Sequence, residues 1–540
     1  MALSLNAEQK NIINIFKIQE QYIIPPYQRP YSWDYDRCSQ LFNDISDAFN
    51  KSQDYFIGNV IIAKSDANRG YLEIVDGQQR LMTLLLLLKV LEVFQDDLIV
   101  LKELIARKDW KGNFNSYRIR TDVFETNDEG DLQVVLKMTL SDFETVLNYS
   151  LDKKGKLIDR KVNNKMLLNS IYFYQWIDFM VKKEISLENF TEYLLERVFL
   201  LPIELLGTTQ EEANDKALVI FESINNRGMN LDDADIFKAK LYDKAKRVNE
   251  SAIFMDSWSE FKGNCDSIRL EVDDVFRYYS HIIRGFEGIT YSEKNLREFF
   301  IKEEFSPLIL KGYGDVLKDL MRILEILEFL ENESLLYSEI ACWLKLVNLY
   351  SNQYPKYAIV NYLFVNGIKL DESFREFLIS IVRFIYYQGS TSTIKFEIYN
   401  IIKNTTYQKQ IDHYYKSEVP VDFFNNLGRL KKGFALLCFI LSRKANFNFS
   451  SIERIISLSD RKFLPGDWVN VNLDNALDSL ANFVVLNCSK NNNEFPKRMN
   501  YYLAKGNIEL NNFVLSNYSY KSFTIRDNEL KNIIISFFMG

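Results

Sequence analysis

Apolar positions recur at helical spacing over residues 7–18 and 36–49, then change to an aromatic and β-branched run over residues 55–63. The first two stretches predict helices and the third a strand. Prolines at positions 25, 26 and 30 keep residues 22–33 extended and non-helical. A second alternating run opens at Tyr71 and stops at Asp76-Gly77. Two glutamines and an arginine follow, and residues 81–94 are then almost continuously apolar. That order reads as strand, tight polar turn and helix. Further on, residues 166–181, 187–199, 233–248 and 317–330 carry helical spacing, and residues 118–121 read as a short strand. From about residue 420 the texture shifts to Asn, Ser and short apolar runs, with a strand over residues 482–486. The pattern predicts an α+β, multi-domain chain. Its expected parts are an α+β unit over 1–95, a helical extension over 96–250, a helical domain over 251–420 and a small α+β domain over 421–540.

Composition narrows this reading in a few places. The 40 Phe and 31 Tyr can fill large aromatic cores, while 9 Pro and 20 Gly argue against long linkers. A net charge of −7 offers no global attraction to nucleic acid, so DNA contacts must come from local basic patches. Residues 153–165, with six Lys or Arg in thirteen positions, are one such patch. Cys38, Cys265, Cys342, Cys438 and Cys488 are scattered without a C-x-x-C pair, as expected of reduced thiols in a cytoplasmic protein. No basic segment followed by a long apolar run opens the chain, so a signal peptide is not expected. Residues 81–94 are too few to span a bilayer and include Lys89 and Glu92, so no membrane partner is expected. His281 and His413 stand far apart without ligand spacing, which predicts no metal-binding set.

Three segments carry candidate chemistry. In Asp76-Gly-Gln-Gln-Arg80, a strand-to-helix turn aims backbone N–H groups and a helix dipole at one point, a ready place for an anion. Gln78, Gln79 and Arg80 add amide and guanidinium donors. The plain alternative is a capped helix, with Asp76 as the cap and Arg80 paired to a carboxylate. In Pro26-Tyr-Gln-Arg-Pro-Tyr-Ser-Trp33, Gln28 and Arg29 sit among rings and prolines, either packing there or offering a second phosphate-contacting edge. In residues 221–238, Gly228 and Asp232 are explained by one helix ending and the next beginning. Asn225, Asn226, Arg227 and Lys238 are not, and a polar cluster at such a junction is a candidate ligand wall.

Together these segments resemble the N-terminal domain of GmrSD-type modification-dependent restriction enzymes, the DGQQR-motif proteins related to the ParB/sulfiredoxin fold. The likeness rests on Ile24 to Trp33, Phe56-Ile-Gly58, Ile74 to Leu84, and Phe221 to Lys238, in the family's order over roughly the first 250 residues. It implies an anti-phage defence protein that binds and hydrolyses a nucleoside triphosphate, GTP or ATP, and responds to foreign or modified DNA. By the same likeness Asp76, Gln78, Gln79 and Arg80 would be catalytic, with Gln28, Arg29, Gly77, Asn225 and Arg227 binding nucleotide. Arg80, Arg29 and the helix start would neutralise phosphate. Asp76 would hold Mg2+ or orient water, and Gln78 or Gln79 would position that water. There is no G-x-x-x-x-G-K-[ST] sequence, so this is not a P-loop protein.

The C-terminal part resembles a His-Me finger (HNH-like) nuclease in residues 451–457, 479–486, the asparagines 491–493 and residues 495–498. Arg454, however, stands where that family has its histidine. An arginine stays protonated and cannot act as the base that activates water. The expectation is therefore a degenerate nuclease domain whose Arg454, Lys490, Lys497 and Arg498 contact DNA phosphate. Cutting would be lost or supplied by a protein effector subunit, and the reading admits a homo-oligomer. Two other readings stand beside it: a non-hydrolysing nucleotide or DNA sensor scaffold, and an active DNA-nicking endonuclease.

Overall fold

The computed structural model describes residues 5–66, 70–124, 126–154, 156–210, 212–214, 216–217, 220, 233–331, 339–388, 394–407, 416–420, 422–442 and 450–540. The chain is α+β and multi-domain, and it divides into two compact units, Met1–Ser259 and Glu260–Gly540.

The first unit is built on a seven-stranded mixed sheet. Its strands are β1 (Leu5–Ala7), β2 (Lys10–Asn11), β3 (Gln21–Ile24), β4 (Tyr55–Ser65), β5 (Tyr71–Asp76), β8 (Ile119–Thr121) and β9 (Val198–Gly207), in the order β1-β9-β4-β5-β3-β8 with β2 also on β9. Strands β6 (Ala106–Lys108) and β7 (Phe114–Tyr117) form a separate hairpin. The helices are α1 (Ile12–Phe16), α2 (Tyr35–Asn50), α3 (Gln78–Phe94), α4 (Ile99–Ile105), α5 (Asp128–Lys137), α6 (Leu140–Ser150), α7 (Lys165–Lys182) and α8 (Leu187–Arg197). Alternation places Val60, Ile62, Leu72 and Ile74 in the main core beneath α3 and its neighbours, and Ile61, Ala63 and Val75 in a smaller core on the other face. Residues Leu81–Leu88 of α3 are all buried, as expected of a helix that is apolar all round.

Two expectations are corrected. Residues 7–18 are not one helix, because β1 and β2 pair antiparallel with β9 and leave only the short α1. Residues 198–199 belong to a strand rather than to the end of a helix. β9 lies between β4 and the β1/β2 edge, and its Pro202 falls between the stretches paired with β1 and β2, where a missing N–H is tolerated. β8 and β9, later in the chain, complete the sheet. In both corrected stretches long-range pairing outweighs local periodicity.

The second unit is mostly helical. Its helices Val272–Glu287, Tyr313–Glu331, Tyr354–Asn366 and Ile394–Thr406 pack together, and Glu372–Gln388 packs on Glu339–Leu349. A two-stranded sheet, β10 (Ser451–Arg454) with β11 (Phe483–Leu486), lies beside Lys431–Ser442. The last helix, Tyr520–Met539, returns to the bundle: Phe537 stacks on Trp343, and its carbonyl accepts from Arg383 Nε at 3.0 Å.

Candidate nucleotide site and basic cleft

The Asp76–Arg80 turn forms as strand, glycine and helix. Gly77 is the N-cap of α3, with φ +89. An added Cβ there would lie 3.0 Å from Val60 Cγ2 and 3.1 Å from the Asn59 carbonyl, so conformation and space both demand glycine. No side chain caps this helix. This corrects the plain reading of Asp76 as a cap, and it leaves the first N–H groups of the helix without a side-chain acceptor.

Asp76 and Arg80 are both half-buried, with Arg80 Nη2 3.9 Å from Asp76 Oδ2. Burial raises the Asp76 carboxyl above its ordinary value, while Arg80, the Gly77 N–H and Arg29 pull it back down. Arg80 is aimed by the neighbouring strand: its Nη1 donates to the Asn59 carbonyl at 2.6 Å. Gly58, at φ +139, makes room for it, since a Cβ there would come within 2.7 Å of Arg80 Nη1. Arg29 is exposed.

The two glutamines do something other than expected. Both are buried. Gln79 Oε1 accepts from Ser32 N at 2.9 Å and Trp33 N at 3.3 Å, and its Nε2 donates to the Pro30 carbonyl at 3.0 Å. The amide is thus used at both ends to hold the Pro-Tyr-Ser-Trp segment against α3. Gln78 Nε2 donates to the Arg29 carbonyl at 3.1 Å, and its Oε1 is buried without a hydrogen-bond partner. Gln28 turns inward, donating to the Val75 carbonyl at 3.0 Å. Gln28 and Gln79 are therefore positioning residues, and Gln78 Oε1 is a buried acceptor left without a partner.

Residues far along the chain complete this frame. Asp128 accepts from Tyr31 N at 2.7 Å, and Tyr31 Oη lies 2.8 Å from Thr83 Oγ1. Asn169 donates to Tyr31 Oη at 3.0 Å and to the Trp33 carbonyl at 2.9 Å. No local signal marks Asp128 or Asn169 in the sequence. On the other face of β5, buried Glu73 accepts from Asn214 Nδ2 at 3.0 Å, and burial raises its carboxyl. Lys238 is buried, its Nζ 4.6 Å from the Phe124 ring. Asn225, Asn226, Arg227, Gly228 and Asp232 lie outside the described residues.

In the second unit a cleft of about 850 Å³ opens beside β10 and β11. Arg454, Lys490, Arg498, Asn491 and Asn492 line it, joined by Arg429 and Lys432, which the motif reading missed. Arg454 is exposed, over the Phe483 ring at 5.6 Å, and Lys490 Nζ lies 3.4 Å from Glu453. Arg498 is tied down by Asp460 at 2.7 Å and the Ile455 carbonyl at 3.1 Å. Lys497 is exposed but does not line the cleft. Asn482 is fully buried and bonds the Ile456 N–H, the Ile456 carbonyl and the Leu477 carbonyl at 2.7, 3.1 and 2.9 Å. His281 is a packing residue, 3.1 Å from Glu293 and stacked 4.0 Å from Tyr357, and His413 lies outside the described residues. Among the described residues no group of three His, Cys, Asp or Glu is arranged to hold a metal, and no helix is long and apolar enough to cross a membrane.

No curated protein matches the chain. Residues 10–242 match the family described as GmrSD restriction endonuclease, N-terminal domain. That span contains the uncapped α3 start, Arg29, Arg80 and the Gln79 tie. Residues 10–242 therefore form a domain similar to the N-terminal domain of GmrSD restriction endonucleases.

Proposed function

We propose that this chain is an anti-phage, restriction-type protein that binds and hydrolyses a nucleoside triphosphate at the start of α3. It responds to foreign or modified DNA, and cutting is lost from its C-terminal part or supplied by a partner. The observation that carries the reading is the uncapped N-terminus of the 17-residue α3 beside Arg29, Arg80 and Asp76. The residues fit the ligand. The helix start and two guanidinium groups suit phosphate oxygens. The orphaned Gln78 Oε1 is an acceptor that suits a hydroxyl or amine of the same molecule. Asp76 is a single carboxylate, the complement Mg2+ commonly takes when phosphates and water supply its other ligands. The ParB/sulfiredoxin-like reading of the sheet and the degenerate nuclease reading of the basic cleft belong to the same proposal.

The test is phosphate release from GTP, ATP, CTP and UTP by wild type and Arg80→Ala. Loss of roughly 10²–10³-fold is expected for a group that stabilises developing charge. Equal background rates for both proteins sink the reading. One observation favours a second reading, a nucleotide-binding sensor without turnover: the Gln79 amide is spent within the fold and leaves Asp76 to handle water. Calorimetric binding of a triphosphate with no phosphate release decides for it.

A further inference from the structure

The β6–β7 hairpin is anchored firmly at its base and left open at its tip. At the base, buried Arg118 donates to the carbonyls of Ile18, Glu103 and Leu104, and Gln21 Nε2 donates to the Tyr117 carbonyl at 2.8 Å. The tip is rigid too. Asp109 Oδ1 accepts from Lys111 N at 2.8 Å and Asn113 N at 2.9 Å, and Gly112 takes φ +85. On this fixed tip Trp110 is 90% exposed and Phe114 60% exposed. Lys111 Nζ sits 4.8 Å from the centre of the Trp110 ring. Lys108 pairs across the hairpin with Phe114 and shares its face, and Arg107 precedes it. The one acid of the loop, Asp109, is exposed and is engaged as the acceptor of the turn's own N–H groups.

Large rings held rigidly in water and flanked by cations are not explained by the stability of this fold. They are complementary to a ligand with flat apolar surfaces between negative charges, which is nucleic acid. A two-stranded ribbon fits the major groove of duplex DNA, and an apolar side chain can wedge against base steps. We infer that residues 106–117 form a DNA-reading wedge in which Trp110 enters a groove of duplex DNA and stacks on a base step, while Arg107, Lys108 and Lys111 hold the flanking phosphates. The inference rests on the proposal that the chain responds to DNA, and it gives that response a place in the first unit, outside both the triphosphate turn and the basic cleft.

The test is anisotropy titration of the full chain against a short labelled DNA duplex and the matching single strand at several salt concentrations. Trp110→Ala is expected to weaken duplex binding by roughly five- to a hundredfold, the loss of one stacked base, with the salt slope unchanged. Trp110→Phe should retain most of the affinity. Lys108→Ala with Lys111→Ala should lower the slope of log affinity against log salt by about two. Wild-type binding that Trp110→Ala leaves untouched overturns the wedge and spares the DNA reading. Equal affinity for duplex and single strand overturns the groove geometry. A wild type that binds no duplex at low salt overturns the DNA reading together with the wedge.

Discussion

The turn at the start of α3 and the cleft beside β10 and β11 are made of the same materials, Asn or Gln next to Arg, yet they distribute them differently. At the turn Gln79 is locked into the fold while the charged groups Arg29, Arg80 and Asp76 remain half-buried or exposed. At the cleft Asn482 is locked in the same way, and one of the arginines, Arg498, is locked with it. Motif position does not tell a working side chain from a structural one. The number of hydrogen bonds a group has already made does.

The largest expected effect tests the shared half of this comparison. Gln79→Ala and Asn482→Ala each remove the side-chain partner of three backbone groups, part-buried at Gln79 and mostly buried at Asn482. Each should cost roughly 3 kcal/mol or more in urea unfolding of its own unit. A loss below about 1 kcal/mol for either would break the equivalence.

The next contrast lies within the cleft. Arg498→Ala removes the partner of buried Asp460 and should destabilise by about 3 kcal/mol. Arg454→Ala, at an exposed position, should stay within about 0.5 kcal/mol in the same assay. Similar costs for the two would mean that Arg454 is structural as well.

The smallest effect sharpens the N-terminal side. Burial raises the folded-state value of the Glu73 carboxyl above its unfolded value. Its protonated form therefore stabilises the fold at acid pH, and that contribution is lost as pH rises through the raised value. Glu73→Gln keeps an acceptor for Asn214 and removes the titration. Melting temperature measured from acid to neutral pH should fall less steeply in the variant, which should be the more stable protein at neutral pH. Parallel profiles would show that Glu73 is not held above its ordinary range.

Much of the turn was legible because its signals are local. Alternation ending at Asp76-Gly77 and the apolar run after Arg80 define β5 and α3, and a glycine between them is what a left-handed N-cap needs. The roles of the glutamines were not legible. A buried amide and a ligand-facing amide look alike until its partners are known, and those of Gln79 lie 46 to 49 residues away. The Trp110 tip went unread for a related reason. An aromatic residue in a polar stretch is ordinary in sequence, and only its exposure on an anchored hairpin sets it apart.

By itself, then, the sequence determined the α+β class, the strand–glycine–helix corner and the absence of a histidine at position 454, since each follows from neighbouring residue types. Tertiary structure decided that β9 completes the first sheet, that Asp128 and Asn169 brace the Tyr31–Trp33 segment, and that Arg498 is bound while Arg454 is exposed. The physical reason is the range of the interactions. Backbone conformation and binary pattern act over a few residues, whereas strand pairing and the satisfaction of buried polar groups join residues as far apart as Leu5 and Leu205 in this chain.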